Sequence, residues 1–261
     1  MTALLASVDG AIGPAAEATV SVTDEGLLRG DGAFEVIRLY QGRPFALEDH
    51  YARLQVSAAG LRLEFDLTAL RGEVDALLDE HGASDGLLRL VLTRGGRRIA
   101  MTETVPEQPE AQTVATVTYT PTRILDGLKT LSYGANMLAG RIAREAGADE
   151  ALFVTPHGRV LEGPTWTFFY VLGGKLYTPP LEERILRSIT RAKVIETSEV
   201  EERITTTDDL PQLEEAFIAS SVRECMPIRW IDRRDLPAVP GPVTRAARTA
   251  LRARIEAGVG L

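Results

Sequence analysis

Apolar side chains recur at helical spacing in two segments near the N-terminus. Residues 48–60 place Leu54 on one face and end at a glycine, and residues 67–82 place Leu70 and Val74 on one stripe. This spacing predicts two amphipathic helices, each with one face toward a hydrophobic core.

Short alternating or β-branched runs around these helices predict strands. The pair Asp9-Gly10 is a hairpin turn signal that follows an apolar run. Other runs are bounded by glycine, proline or aspartate, which interrupt strands and form turns. The predicted strands of the N-terminal half include 18–22, 34–40, 85–93 and 113–119.

The C-terminal half predicts hairpins and helices. Turn residues at Pro156-His157-Gly158 and at Gly173-Gly174 separate pairs of short apolar runs, which indicates two hairpins. Helices are predicted at 133–146, 185–199 and 243–257, the first with Met137, Leu138 and Ile142 as its apolar stripe, and further strands at 214–221 and 228–231.

Strands and helices do not alternate regularly along the chain. This order predicts an α+β fold rather than repeated βαβ units. With 261 residues, the chain is long enough for two modest domains. We expect an N-terminal domain over 1–119, a linker over 120–126 and a C-terminal domain over 127–261.

Composition excludes several classes of function. The net charge of -8 argues against nucleic acid as the main partner. One cysteine, Cys225, allows no intrachain disulfide, and together with only three histidines it makes a cysteine–histidine metal site unexpected. No apolar run approaches the ~20 residues of a membrane span, and the N-terminus lacks the basic lead of a signal peptide. We therefore expect a soluble cytoplasmic protein without metal or membrane.

Lys129 lies just ahead of the helix predicted from residue 133, among apolar and small residues. Burying an ammonium is costly unless it is paired or its pKa falls. A lysine that gives up its charge readily suits Schiff-base chemistry. The alternative is a surface lysine whose aliphatic stem lies on apolar neighbours.

A carboxylate and two hydroxyls further along the chain are the next candidates. Glu162 closes an apolar strand, as a plain strand-end charge or as the partner of a cationic nitrogen in a pocket. Thr190, near the start of a predicted helix, and Ser221, at the end of a strand, offer donors for an anion. Helix capping and turn formation are the alternatives for these hydroxyls.

Arginines form the third group of candidates. Arg53, on the first predicted helix, is either a surface charge or a fork for a phosphate. Arg29 and the turn that contains Arg94 and Arg98 supply further cations near glycines. A solvated basic loop is the alternative for that turn.

In chain order, these residues lie in stretches that resemble one enzyme family. The stretches are Arg29-Gly-Asp-Gly-Ala-Phe-Glu-Val, His50-Tyr-Ala-Arg-Leu, Leu128-Lys-Thr-Leu-Ser-Tyr, Ala148-Asp-Glu-Ala-Leu with Gly158-Arg-Val-Leu-Glu-Gly, Leu176-Tyr-Thr-Pro-Pro with Ile185-Leu-Arg-Ser-Ile-Thr-Arg191, and more loosely Glu215-Ala-Phe-Ile-Ala-Ser-Ser. They resemble the fold-type IV (class IV) pyridoxal phosphate enzymes: branched-chain aminotransferases, D-amino acid aminotransferases and aminodeoxychorismate lyases.

The resemblance implies a fold, a cofactor and a set of roles. It implies a small N-terminal α/β domain, a larger C-terminal pseudo-barrel domain and a homodimer. It also implies that pyridoxal 5′-phosphate is the cofactor, that Lys129 binds its aldehyde and moves the Cα proton, and that Glu162 pairs with its pyridine nitrogen. The residues implied for the phosphate are Arg53, Ile189, Thr190 and Ser221.

The expected substrate pocket departs from the family pattern. Arg29 stands where many members have an aromatic residue, and Trp166 is a bulky substitution beside the expected pocket. In the D-amino acid aminotransferases, an Arg-x-His pair typically binds the substrate carboxylate. The turn with Arg94 and Arg98 offers arginine but no histidine. We expect these four residues to contact the substrate.

The activity implied is transfer of an amino group between an amino acid and a 2-oxo acid such as 2-oxoglutarate or pyruvate. The N-terminal motif and the short spacing after Lys129 resemble the D-amino acid and lyase branches more than the branched-chain branch. We expect a D-amino acid as donor, with Arg29 in place of the missing Arg-x-His pair. The alternatives are an aminodeoxychorismate lyase, which releases pyruvate and 4-aminobenzoate, a branched-chain L-amino acid aminotransferase, and a cofactor-binding protein without turnover.

Overall fold

The computed structural model of the chain describes residues 4–261, which fall into two units. The first unit contains the residues up to Glu107 together with Leu128–Tyr133 and Gly258–Leu261, and the second contains Gln108–Gly127 and Gly134–Ala257. The segment that carries Lys129 therefore belongs with the N-terminal residues. The division of the chain at 120–126 stays a prediction.

An antiparallel sheet with helices on it forms the first unit. The strands are β1 (Leu5–Val8), β2 (Ala11–Pro14), β3 (Gly32–Tyr40), β4 (Arg43–Pro44), β5 (Gly86–Thr93) and β6 (Arg98–Glu103), in the order β2-β1-β6-β5-β3-β4. The helices are α1 (Glu25–Arg29), α2 (Leu47–Gly60) and α3 (Leu67–His81). The core contains Ile37 from the sheet, Leu54 from α2 and Leu70 from α3, all fully buried.

A mixed sheet and three helices form most of the second unit. The strands are β7 (Gln112–Thr118), β8 (Glu150–Val154), β9 (Arg159–Val160), β10 (Thr167–Leu172), β11 (Lys175–Thr178), β12 (Val200–Glu202), β13 (Thr205–Thr206), β14 (Glu215–Ser220), β15 (Glu224–Ile231) and β16 (Arg234–Asp235). The helices are α4 (Gly134–Glu145), α5 (Ile189–Thr197) and α6 (Pro242–Val259). The strand order is β12-β11-β10-β14-β15-β7-β8-β9-β13, with β16 beside β15. Across residues 4–261, no helix combines the length and apolar character that crossing a membrane requires.

The α+β class is confirmed, but the strand predicted at 18–22 is wrong. Asp9 and Gly10 both have positive φ, 52° and 90°. Such values at both central residues suit a tight hairpin turn. The chain therefore returns at once as β2, and residues 18–22 form no strand.

Helix α5 begins later than the apolar pattern predicts. The pattern extends back to Ile185, but Ser188 adopts an extended conformation and its side chain accepts a hydrogen bond from the Arg191 amide, 3.2 Å away. A side-chain acceptor at this position fixes the start of a helix. Ile189 and Thr190 are consequently the first two residues of α5.

Helix α4 buries its small residues rather than its large apolar ones. Its buried positions are Ala139, Gly140 and Ala143. The apolar stripe formed by Met137, Leu138 and Ile142 is exposed instead. Small side chains let a helix approach its sheet closely, so the larger ones are left on the outer face.

Candidate active site

The backbone of Lys129 is hydrogen-bonded to strand β3 and to helix α2 of the first unit. Its carbonyl oxygen accepts a hydrogen bond from the Phe34 amide at 3.1 Å, and its own amide donates to Ser57 Oγ at 3.0 Å. A bridge between Ala33 and Thr130 extends the contact with β3. Hydrogen bonds of its backbone alone therefore fix the lysine between β3 and α2.

Two aromatic rings flank the Lys129 side chain. Nζ lies 4.3 Å from the centre of the Phe34 ring and 5.6 Å from that of Tyr133. The rings pack edge to face, with centres 5.1 Å apart. An ammonium is attracted to aromatic faces, while the rings also limit its access to water. The sequence-based expectation of apolar surroundings for Lys129 agrees with this geometry.

Arg53 lies in a buried charge cluster that also contains Glu35 and His50. Arg53 Nε and Nη2 donate to the two oxygens of Glu35, at 2.7 and 2.6 Å. His50 Nδ1 lies 2.7 Å from Glu35 Oε2. Because an ionised carboxylate only accepts hydrogen bonds, Nδ1 carries the proton. Glu35 is on β3, and its two partners are three positions apart on α2.

The cluster shifts the pKa of both of its titratable members. Burial alone would raise the pKa of Glu35, but the Arg53 guanidinium and the His50 hydrogen bond outweigh it and bring the pKa down to about 2. Burial lowers the pKa of His50, and Glu35 offsets this only in part; Arg53 and Lys129 lower it further. At neutral pH the cluster therefore holds an ionised Glu35 and a neutral His50.

In the second unit, Glu162 is joined to the segment that leads into α5. Its Oε1 accepts a hydrogen bond from the Leu186 amide at 2.8 Å. Ile189 and Thr190, both buried, follow the Ser188 cap and form the first turn of α5. A helix N-terminus with a hydroxyl in its first turn favours an anion.

Trp166 and Ser221 lie at the same end of two paired strands. Trp166 precedes β10 and Ser221 follows β14, and Thr167 pairs with Ala219 in the register of these strands. The Trp166 indole is buried in the core and donates from Nε1 to Glu150 at 3.1 Å. Its role in substrate binding stays a prediction.

The three arginines expected to bind substrate all have carboxylate partners. Arg29 pairs with Glu25 one turn earlier in α1, and its side chain is 73% exposed. Arg94 pairs with Asp31 and also donates to two backbone carbonyls, those of residues 61 and 62. Arg98 donates from Nε and Nη2 to Glu73 of α3, at 3.0 and 2.7 Å. Of the three, Arg29 has the most exposed and most local pair.

Sequence reasoning assigned no role to Glu35, His50, Ser57 or Phe34, although three of them lie in the quoted motifs. One signal was available: Glu35 is a carboxylate inside an apolar strand, where a charge needs a partner. The spacing of His50, Arg53 and Ser57 also places them on one face of a helix. Only the structure shows that this face of the helix packs against the strand that carries Glu35.

Comparisons with known proteins agree with one family. Residues 32–231 match the family described as Amino-transferase class IV. A D-alanine aminotransferase of Bacillus licheniformis is 34% identical, over 90% of this chain and 92% of that protein. A putative branched-chain-amino-acid aminotransferase of Methanocaldococcus jannaschii is 36% identical, over 84% of each. The solved structure of a hypothetical aminotransferase from Mycobacterium tuberculosis in its PLP-bound form superposes with a TM-score of 0.88 at 27% identity, covering 97% of this chain and 99% of that one.

The pKa shifts of the cluster predict a loss of stability toward acid. Unfolded His50 takes up a proton below about pH 6.5, whereas the folded residue resists protonation until lower pH. The unfolded state then binds more protons, so the free energy of unfolding falls as pH drops. The contribution of Glu35, with a folded pKa of about 2 against 4.5 ordinarily, is present above pH 4.5 and lost as pH falls toward 2. This difference corresponds to about 3 kcal/mol.

Urea unfolding of the cofactor-free protein between about pH 7.5 and 5.5 checks the histidine part. We expect His50→Asn to lose part of the wild-type decrease in the free energy of unfolding over this interval. His157→Asn, at an exposed turn, should keep the wild-type pH dependence. An unchanged pH dependence in His50→Asn would contradict the assignment.

Proposed function

This chain belongs to the class IV aminotransferase family, and from that premise we propose that it is a transaminase that uses pyridoxal 5′-phosphate. It moves an amino group from an amino acid to a 2-oxo acid such as 2-oxoglutarate or pyruvate. The observation that carries the proposal is Lys129, whose backbone is fixed between β3 and α2 and whose amine lies against two aromatic rings.

The donor set within each unit fits the chemical groups of this cofactor. The first unit offers an amine for the aldehyde, Lys129, and a guanidinium for the phosphate, Arg53. The second offers the N-terminus of α5 with the Thr190 hydroxyl, which suits a phosphate, and a carboxylate, Glu162, which suits a protonated pyridine nitrogen. Ser221 adds a hydroxyl at the end of β14.

Each of these residues then has a definite task. When bound, pyridoxal phosphate supplies an electron sink that makes the Cα–H bond of an amino acid acidic. Lys129 Nζ would bind the aldehyde first and, once the amino group of the substrate has replaced it there, would accept the proton that leaves Cα. Glu162 keeps the proton on the pyridine nitrogen. In the first unit Arg53 would hold the phosphate at a set distance from Lys129. In the second unit Ile189 and Thr190 are the residues we propose for the phosphate.

For the substrate, we propose a D-amino acid whose carboxylate is bound by Arg29. Support comes from the relative named as a D-alanine aminotransferase and from the weakness of the exposed ion pair between Arg29 and Glu25. Exposed pairs one turn apart contribute only about 0.3–0.5 kcal/mol, so a substrate carboxylate can replace Glu25. Arg94 and Arg98 have additional or less exposed partners.

The role of Lys129 predicts where the cofactor becomes attached. Borohydride reduction of the loaded wild type should fix the cofactor mass on the peptide that contains Lys129, as read by mass spectrometry. Lys129→Ala should lose this adduct and about a thousandfold or more in transamination rate. Lys175→Ala, at an exposed lysine paired with Glu201, should retain both. An adduct that persists in Lys129→Ala would refute the assignment.

The substrate proposal predicts the outcome of a half-reaction screen. D-Alanine or D-glutamate should convert the bound cofactor to its amine form, as read from its absorption spectrum, and Arg29→Gln should raise the half-saturating concentration about tenfold or more. Arg97→Gln, at an arginine paired with Asp9, should change little. Conversion by L-leucine but not by D-amino acids would favour a branched-chain aminotransferase. Pyruvate release without any 2-oxo acid acceptor would favour the lyase. A loss in Arg98→Gln instead of Arg29→Gln would reassign the carboxylate site.

We also propose that the protein is a homodimer. The support is the outer face of α4, where Met137, Leu138 and Ile142 are between 41% and 51% exposed. Contiguous apolar side chains on the outside of a helix are typical of an interface.

Sedimentation velocity at micromolar concentration tests the oligomer. The wild type should sediment as a dimer of the 28.4 kDa chain. The double variant Leu138→Glu/Ile142→Glu should shift it toward monomer, because burying two carboxylates in an apolar interface is costly. Val56→Glu, at an exposed apolar residue of α2, is the matched control and should remain dimeric. A monomeric wild type would exclude the proposal.

A further inference from the structure

Glu35 is a fully buried carboxylate in the middle of β3. It lies opposite Leu90 in the register with β5, among apolar neighbours. Replacing a buried ion pair by apolar residues is often neutral or stabilising. Stability alone therefore does not explain why a charge cluster, rather than apolar residues, is buried here.

The geometry of the cluster fixes the plane of one guanidinium. Glu35 accepts from Nε and Nη2 of Arg53 through different oxygens, and Oε2 is shared with His50. A two-point fork of this kind sets the orientation of the arginine as well as its distance. Of the three side chains, Arg53 reaches the surface most, at 10% exposed against 2% for His50 and 0% for Glu35.

The same two elements hold Lys129. On β3, Glu35 is next to Phe34, whose amide binds the Lys129 carbonyl oxygen. On α2, Ser57 lies one turn beyond Arg53 and accepts from the Lys129 amide. The pairing of Glu35 with α2 thus sets how Arg53 and Lys129 are placed relative to each other.

We propose that Glu35 is a positioning residue which, with His50, orients the Arg53 guanidinium toward the cofactor phosphate at a fixed spacing from Lys129. The inference rests on the proposed function, because it takes Arg53 to bind the phosphate.

Charge alone and orientation predict opposite effects on phosphate binding when the Glu35 carboxylate is removed. With His50 neutral, the charges of Glu35 and Arg53 cancel, so Glu35→Gln leaves the cluster one unit more positive. If charge alone mattered, the variant would bind a phosphate more tightly. If orientation matters, it binds more weakly, because one acceptor oxygen of the fork becomes an NH2 group that cannot accept. The sign of the change separates the two explanations.

The experiment measures binding to the cofactor-free full-length protein by calorimetry. The probes are pyridoxal phosphate, pyridoxal without phosphate, and inorganic phosphate. We expect Glu35→Gln to weaken binding of pyridoxal phosphate about tenfold or more and to leave pyridoxal binding unchanged. Binding of inorganic phosphate should weaken as well. Urea unfolding of each variant verifies that it is folded.

Two further variants complete the design. Arg53→Lys keeps the charge but loses the planar fork, and it should give the same selective loss for phosphate-bearing probes. The double variant Glu35→Gln/Arg53→Lys should lose little more affinity than either single variant, since both changes disrupt the same interaction. Glu48→Gln is the matched control: Glu48 also forms a two-point fork with an arginine, Arg71, and lies on α2, but at the surface. It should change none of the affinities.

The outcomes separate this inference from the proposed function. Unchanged or tighter binding of pyridoxal phosphate by Glu35→Gln overturns the inference. Equal weakening of pyridoxal and pyridoxal phosphate also overturns it, because the role would then be general folding. If Arg53→Lys leaves both affinities unchanged, the planar fork is not needed and the inference is overturned. If Arg53→Gln, which also removes the charge, leaves both affinities unchanged, the phosphate role of Arg53 in the proposed function is wrong. If Glu35→Gln does not fold, Arg53→Lys with the same three probes decides the question: either no loss for pyridoxal phosphate, or a loss for pyridoxal as large as that for pyridoxal phosphate, overturns the inference.

Discussion

The pairing of buried Glu35 with Arg53 and His50 is the interaction on which the candidate site depends most. A carboxylate without exposed surface in an apolar strand must be matched by donors. Both donors come from one face of α2, so this pairing fixes the rotation of α2 about its own axis as well as its distance from β3. Ser57 then lies on the same face, at the position where it binds the Lys129 amide. Rigid elements rather than loops therefore set the position of the lysine backbone.

In the second unit, hydrogen bonds likewise fix a charged side chain, but its partner is a backbone amide. Glu162 is joined to the Leu186 amide, and the chain reaches the Ser188 cap two residues later. Because these bonds involve backbone groups near the start of α5, the carboxylate and the helix N-terminus are fixed together. In both units a group that bears charge is placed by hydrogen bonds that also define an element boundary or a packing face. Substitutions at such residues affect local structure and ligand binding together, so the two effects need separate measurements.

Local signals in the sequence predicted much of the fold, and non-local contacts account for the differences. The amphipathic helices α2 and α3 and the hairpin of β10 and β11 follow from periodicity and turn residues close in sequence. Helix α5 starts later than the apolar pattern predicts because the Ser188 side chain caps its first turn. The packing face of α4 differed because closeness to a sheet, which the sequence does not show, favoured alanine and glycine. For the site, residue types and motif order were visible in the sequence, but the partner of Arg53 was not, since Glu35 lies on a different element 18 positions away.

Burial decides whether a carboxylate beside an arginine assists or competes with an anionic ligand. The chain has 37 acidic and 29 Lys or Arg residues, so many of its cations have resident carboxylates. Around Arg29 the carboxylate is exposed and belongs to the same helix; water and a substrate can both replace it, and the pair costs little to break. Around Arg53 the carboxylate is fully buried, and separating it from the guanidinium would leave an uncompensated charge in the core. It stays in place when an anion arrives, so the proposed effect on a phosphate is the orientation that Glu35 gives the arginine, set against the unfavourable effect of its negative charge. The same residue types therefore yield an exchangeable cation at Arg29 and a fixed one at Arg53.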